Sequence, residues 1–317
     1  ETESFMVSDA ALIFGDPTVD AVVETLGGLD PAYSYGMRAL EAGKHFITAN
    51  KVMVASHGLE LAALAREKGA AFLFSAACGG GVPFLHNLAL SAETDRIEAV
   101  SGILNGTTNY MLDAMQRRGL SYGDALREAQ SLGYAESDPT ADVSGLDALR
   151  KMQLACAVAF GVLPQSGMLC EGMEHFTAAD VEDIQSRGLV CRLMARGSRA
   201  GESVSAYVEP VLFPRAAPES SVFTNNNMAS YTGKRCGSIV LMGQGAGRFP
   251  TASAVLRDLS AAQQGARSMF PENCRAAEAD NREAVHSYYI RTGGFAAVRL
   301  SLRSVLAPVS YTHLTLP

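Results

Sequence analysis

From Asp20 to Ala77 the apolar positions fall into two alternating rhythms. Short apolar, β-branched runs, DAVVETLG (20–27), KHFITA (44–49) and AAFLFSAA (70–77), have the character of buried strands. Between them PAYSYGMRALEAG (31–43) and HGLELAALAREKG (57–69) space their apolar residues as helices do. Strands and helices that alternate through short turns predict right-handed crossovers and a parallel sheet. Residues 1–77 are therefore expected in a doubly wound α/β domain. VDAVVETLGG reads as the middle of such a sheet, so a further strand is expected ahead of it and the sheet in this chain is expected to be incomplete.

The rhythm changes after Pro83. LHNLALSA (85–92), TTNYMLDAMQRRG (107–119), SYGDALREAQSLG (121–133) and the run after Ser144 predict helices, and RIEAVSGILN (96–105) a strand. LVCRLMARG, SVSAYVEPVLF and KRCGSIVLMG then alternate as half-buried antiparallel strands do. This predicts a second, mixed α+β domain over residues 78–248. GQGAGRFPTASAVLRDLSAAQQ (243–264) is a glycine-rich turn entering a helix, with Thr251 as the expected cap, and residues 249–268 are assigned back to the first domain. Residues 269–317 are expected to be a C-terminal remnant, whose last eight, SYTHLTLP, follow without helix or turn logic and are read as foreign.

Composition narrows the partners. The chain has 317 residues, 48% hydrophobic and 19% charged, enough to bury a large core. A formal net charge of −7 argues against a surface that gathers nucleic acid or anionic lipid, which leaves a small molecule as the default ligand. Cys78, Cys156, Cys170, Cys191, Cys236 and Cys274 are far apart, without a C-x-x-C pair or a histidine at ligand spacing; neither a disulfide framework nor a zinc site is indicated, and a reducing cytoplasm is expected. No apolar run is long enough to span a membrane, and the acidic start lacks the marks of a signal peptide.

Ligands of doubly wound sheets sit at the carboxyl ends of the strands. Those ends carry Gly27 and Gly28, then Thr48, Ala49, Asn50 and Lys51, then the loop CGGGVP (78–83). The denser chemistry lies in GYAESDPTADVSGLDALRK (133–151), where Glu136, Asp138, Asp142 and Asp147 precede Lys151 at the mouth of the apolar helix MQLACAVAF. Ser144 and Asp147 have capping-box spacing, so this helix is expected to begin near Gly145. Asp147 and Lys151 then stand one turn apart. The ordinary reading of such a pair is a solvated salt bridge worth roughly 0.2–0.5 kcal/mol, but the helix offers little polar face to hold it in water. Partial desolvation lowers a lysine's pKa while nearby carboxylates raise it, and a lysine tuned in this way can give a proton to a developing alkoxide. Glu136 and Asp142, brought round by SDPT, would be acceptors for an amino-acid-like substrate.

SGILNGTTNYML, LGYAESDPTADVSGLDALRK, LEAGKHFITANK, GGLDPA and GQGAGRFPTASAV resemble the homoserine dehydrogenase family in order and spacing, from about residue 19 to about residue 265. The resemblance implies a Rossmann-type sheet with a substrate-binding and dimerisation domain. It implies interconversion of L-homoserine and L-aspartate 4-semialdehyde by hydride transfer with NAD or NADP, in threonine, methionine and isoleucine biosynthesis, by a homodimer. By motif, Lys51 and Lys151 would stand near the reacting oxygen with Lys151 as general acid and Asp147 in support. Glu136, Asp142, Gly106 and Thr107 would meet the substrate, and Gly27, Gly28, Asn50, Gly245, Ala246 and Gly247 the cofactor. The family's G-x-G-x-x-G loop is missing ahead of VDAVVETLGG, which points to an N-terminally truncated fragment and leaves NAD against NADP undecided. A non-catalytic dimerising remnant is the competing expectation. Ser75 stands where the family usually has a glutamate, so a monovalent cation would rely on the backbone carbonyls of Cys78, Gly80 and Val82.

Overall fold

The computed structural model describes residues 6–282 and 284. The predicted parallel sheet is present: β1 (Ala21–Glu24), β2 (His45–Thr48) and β3 (Phe72–Leu73) pair in that order, with Val22 opposite Phe46 and Phe46 opposite Phe72. A short helix α1 (Ala10–Gly15), capped by the Asp9 carboxylate, precedes β1 and was not expected. Helix α2 (Ala32–Glu41) buries Ala39 and Leu40. Helix α3 (Lys51–Lys68) begins at Lys51 and not at His57, because Asn50 is its N-cap and accepts from the Met53 N–H at 3.1 Å. The run AAFLFSAA keeps only two residues in the sheet. At Ser75 the chain turns away, since Asp258 captures both its backbone N–H and its hydroxyl.

The second body follows α4 (Phe84–Thr94). Its elements are β4 (Ile97–Ile103), α5 (Gly106–Arg118), α6 (Tyr122–Ser131), α7 (Thr140–Val143), α8 (Leu146–Phe160), β5 (Val162–Ser166), β6 (Leu169–Cys170), α9 (Ala178–Ser186), β7 (Leu189–Ala200), β8 (Ser203–Pro214), β9 (Asn226–Gly233) and β10 (Gly237–Gln244). Six of these strands form a mixed sheet in the order β10-β9-β4-β7-β8-β6; its pairs are antiparallel except β6 with β8. Helix α8, buried along nearly its whole length, packs on β4, β7 and β8, and one continuous apolar cluster runs from Phe46 to Val208.

Two helix starts correct the sequence reading. Helix α8 does begin beside Gly145, but no capping box forms: Gly145 is the N-cap at φ +81°, the Ser144 hydroxyl has no partner among the described residues, and the Asp147 carboxylate turns toward lysines. Helix α10 (Arg248–Gln263) starts after Gly247, so Thr251 lies inside its first turn, donating its N–H to the Gly247 carbonyl at 3.0 Å, and is not the cap.

After β10 the chain returns to the first sheet. Helix α10 packs against β2 and the Ser75 turn, and the Phe72 N–H donates to the Arg267 carbonyl at 2.8 Å. Strand β11 (Arg275–Glu278), within the stretch expected to be a remnant, then pairs in parallel with β5. Residue 283 and residues 285–317, SYTHLTLP included, lie outside the described residues. No described helix is long and apolar enough to cross a membrane.

Candidate active site

The site forms where the carboxyl edge of the parallel sheet meets the first turns of α5 and α8. Asp147, in the first turn of α8, holds two lysines: Lys151 Nζ at 2.7 Å from Oδ2, and Lys51 Nζ, from the start of α3, at 3.2 Å from Oδ1. Lys151 also donates to the Leu104 carbonyl at 2.7 Å at the end of β4. Asn105, the N-cap of α5, accepts from the Thr108 N–H with its side-chain oxygen and sends its amide N–H groups to Asp142 Oδ1 at 2.7 Å and Asp147 Oδ2 at 2.9 Å. Asn105 was not among the predicted site residues. An asparagine just ahead of the helical run GTTNYML is a cap signal that could have singled it out.

The electrostatics follow from this arrangement. Burial works against ionisation of Asp147, but Lys151, Lys51 and the Asn105 amide outweigh it and hold the carboxyl well below the usual range. Burial likewise opposes the charge on Lys151, yet Asp147 wins and the ammonium is held above its ordinary pKa. Asp142 is raised, chiefly by burial, with Asn105 and Thr107 opposing. Cys78 donates to the Lys151 carbonyl at 3.8 Å, and burial pushes its thiol up to about 12, which removes it as a nucleophile.

Of the other expected residues, Thr107 is buried and donates to the Tyr134 carbonyl at 2.5 Å, tying α5 to the loop that carries Glu136. Glu136 itself is exposed, two residues beyond that carbonyl. Gly106 faces the Asn225 carbonyl, where a Cβ would come within 2.8 Å. Asn50 donates to the Gly28 carbonyl at 2.6 Å and so fixes the Gly27–Gly28 loop against the start of α3; around both glycines there is open space. On the other side, the CGGG loop and the GQGAG loop interlock: the Gly81 N–H donates to the Gln244 carbonyl at 3.1 Å, and a Cβ on Gly80 would lie 2.5 Å from the Gly245 carbonyl oxygen. Asn227, beside Gly245, is buried with neither amide atom partnered among the described residues. Open glycine backbone on one side, and an orphaned amide beside Gly245, Ala246 and Gly247 on the other, fit the flat nicotinamide half of a dinucleotide.

A buried acid stands beside the CGGG loop. Asp258, fully buried on α10, takes the Ser75 hydroxyl at 2.5 Å and its N–H at 2.7 Å. The acid in this corner therefore comes from α10, and both Ser75 hydrogens are committed to it. The Val82 carbonyl accepts from the Phe84 N–H at 2.7 Å. No group of three or more His, Cys, Asp or Glu side chains able to hold a metal occurs among the described residues.

Fold and site together define an α/β protein in which a nucleotide-type parallel sheet meets a mixed sheet at a Lys–Asp–Lys centre. The chain belongs to the homoserine dehydrogenase family: the profile described as Homoserine dehydrogenase matches residues 83–260, and that described as Homoserine dehydrogenase, NAD binding domain, matches residues 3–75. It is 40% identical over 260 residues to a homoserine dehydrogenase of Corynebacterium glutamicum, covering 80% of this chain and 58% of that protein. A crystal structure of a homoserine dehydrogenase from Thiobacillus denitrificans superposes with a TM-score of 0.81 at 34% identity, over 87% of this chain and 69% of that one. A hyperthermophilic archaeal homoserine dehydrogenase in complex with NADPH gives a TM-score of 0.66 at 28% identity, over 80% and 73%. The chain thus spans under two thirds of the length of the curated relatives it matches.

Proposed function

We propose that the chain is the catalytic part of an NAD(P)-dependent homoserine dehydrogenase, interconverting L-homoserine and L-aspartate 4-semialdehyde. The observation that carries the reading is the grip of Asp147 on both Lys51 and Lys151 at the edge of the sheet. A bound nicotinamide supplies or accepts the hydride, and Gly27, Gly28 and Asn50 on one side and Gly245, Ala246, Gly247 and Asn227 on the other would hold its ring.

Reduction of an aldehyde makes an alkoxide. The Lys151 ammonium, charged and pinned by Asp147 and the Leu104 carbonyl, stabilises that oxygen and gives it a proton from Nζ. Lys51, about a third exposed at the mouth, adds a second positive charge. Asp147 orients both lysines and touches no reacting atom. Asp142 and Glu136 accept from the substrate ammonium, and Thr107 shapes the wall between them. The reverse reaction runs through the neutral Lys151 amine, which takes the hydroxyl proton as the hydride leaves.

A homodimer is part of the same proposal. Val240 and Met242 are about half exposed on β10, an edge strand, and suit a partner's matching surface. The unpaired cysteines support a reducing cytoplasm.

The test is to follow nicotinamide reduction with L-homoserine for the parent and Lys151→Met, each supplied with the strand and glycine-rich loop the family resemblance expects ahead of β1. Turnover that falls by roughly 10²–10⁴ in a folded variant supports the assignment. Unchanged turnover removes Lys151 as proton donor, and inactivity of the parent toward L-homoserine overturns the reading.

A further inference from the structure

A cavity of about 510 Å³ opens at the opposite end of α5 from the site above, roughly 18 Å along the helix from Asn105 at 1.5 Å per residue. Arg117, Arg192 and Arg215 line it together with Asp113, Leu189 and Phe223. Arg192 projects from β7 and is 1% exposed. Its Nη1 donates to the Cys191 carbonyl at 2.9 Å and its Nη2 to the Ser220 carbonyl at 3.3 Å, while Nε has no partner. These acceptors are neutral, and Arg192 forms no ion pair among the described residues. Asp113 is the one carboxylate in the lining, and it is already engaged: Oδ2 accepts from the Thr224 N–H at 3.1 Å and faces Arg117 at 3.9 Å, and Oδ1 is unpartnered.

Three guanidiniums line the cavity against one carboxylate, and of the three only Arg192 is buried, without an ion pair of its own. A buried cation without a counter-charge is among the costlier features a fold can carry. Water bridging the orphaned Arg192 Nε and Asp113 Oδ1 would complete their hydrogen bonds and leave the charge untouched. An oxyanion would do both, because the guanidinium fork matches carboxylate and phosphate oxygens. The rim suits an organic anion: the Arg117 guanidinium lies 4.6 Å over the Phe223 ring, which is itself 42% exposed, and Leu189 adds apolar wall.

We propose that this cavity is a binding site for a small oxyanion, a phosphate or carboxylate head on a compact body, with Arg192 at its base, Arg117 and Arg215 at its rim and Phe223 against the body. The site is separate from the lysine centre and does not depend on the reaction assigned to it.

Thermal unfolding of the 317-residue chain, titrated with inorganic phosphate or with succinate at an ionic strength fixed with sodium chloride, tests this. A saturable rise in midpoint of roughly 3 °C or more with phosphate alone identifies a phosphate head, and with succinate alone a carboxylate head. Curves for both that coincide with sodium chloride overturn the proposal. Arg192→Met is expected to abolish the saturable rise. Should that variant not fold, Arg215→Ser, at an exposed rim position, decides: a roughly tenfold weaker apparent affinity supports the site, and an unchanged affinity overturns it.

Discussion

Lys51 and Asp147 meet across the seam between the two sheets, the ammonium of one 3.2 Å from the carboxylate of the other. The contact joins the first residue of α3 to the first turn of α8, so the parallel-sheet body and the mixed-sheet body share one charge cluster. Asp147→Asn strands two ammonium groups, one of them deeply buried. Unfolding in urea is expected to show a loss of roughly 3 kcal/mol. Lys51→Met leaves the Lys151 pair intact and is expected to cost under about 1 kcal/mol, since Lys51 is partly solvated.

The same pair fixes a pH dependence for the proposed reaction. The folded pKa of Lys151 lies above its ordinary value, so the proton donor is charged at neutral pH and its stabilising contribution persists until pH rises through the folded value. Semialdehyde reduction is expected to be flat with pH around neutrality. Homoserine oxidation, which needs the neutral amine, is expected to climb steadily into the alkaline range. Lys151→Met is expected to lose that climb, as initial rates across pH would reveal. The depressed pKa of Asp147 has the opposite sense: its contribution is complete above about pH 4 and disappears as pH falls through the folded value.

Asp258 supplies a second titration, at the Ser75 corner. Burial raises its carboxyl to about 6, above the unfolded value of 3.8, with the Ser75 donors opposing. A raised folded pKa gives stability that is fully present below the unfolded value and lost as pH rises through about 6. Relative to Asp258→Asn, the parent is expected to lose stability between about pH 4 and about pH 6, on the order of 3 kcal/mol at most. Urea midpoints for the two proteins at those pH values check it, and parallel curves would mean the carboxyl is ionised throughout.

Glycine positions separate packing from ligand contact. A Cβ on Gly80 would press on the Gly245 backbone, and one on Gly245 would strike the buried Asn227 amide. Gly80→Ala or Gly245→Ala is expected to destabilise by roughly 1–3 kcal/mol. A Cβ on Gly27 meets nothing within 4 Å. Gly27→Ala is expected to unfold within about 0.5 kcal/mol of the parent yet raise KM for the dinucleotide, as paired melting curves and kinetics would show.

The alternation of strand and helix over residues 20–77 was legible because each run keeps one period. The motifs also pointed to Lys51, Lys151, Asp142 and Asp147, which the structure gathers in one cluster, whereas Glu136 stays exposed outside it. Less legible were features set by distant partners. AAFLFSAA looks like a full strand until Asp258, far along the chain, takes Ser75 out of the sheet. Ser144 and Asp147 have capping-box spacing, but two ammonium groups attract the carboxylate more strongly than a backbone N–H does. Asn105 was hidden at the end of a strand run, its two roles as helix cap and carboxylate bridge visible only once α5 and α8 are side by side. β11 has no periodicity of its own, and its partner β5 supplies its order.

The return of α10 to the first sheet has a consequence for synthesis of the chain. Phe72 on β3 is bonded to Arg267, and Ser75 to Asp258, so the parallel sheet is closed on one flank only by residues made after the entire mixed sheet. Contacts of such long sequence separation form late and slowly. The nascent sheet therefore waits on the ribosome with an open flank until residues 248–268 emerge, and the second body must fold as an insertion while its host is still unfinished.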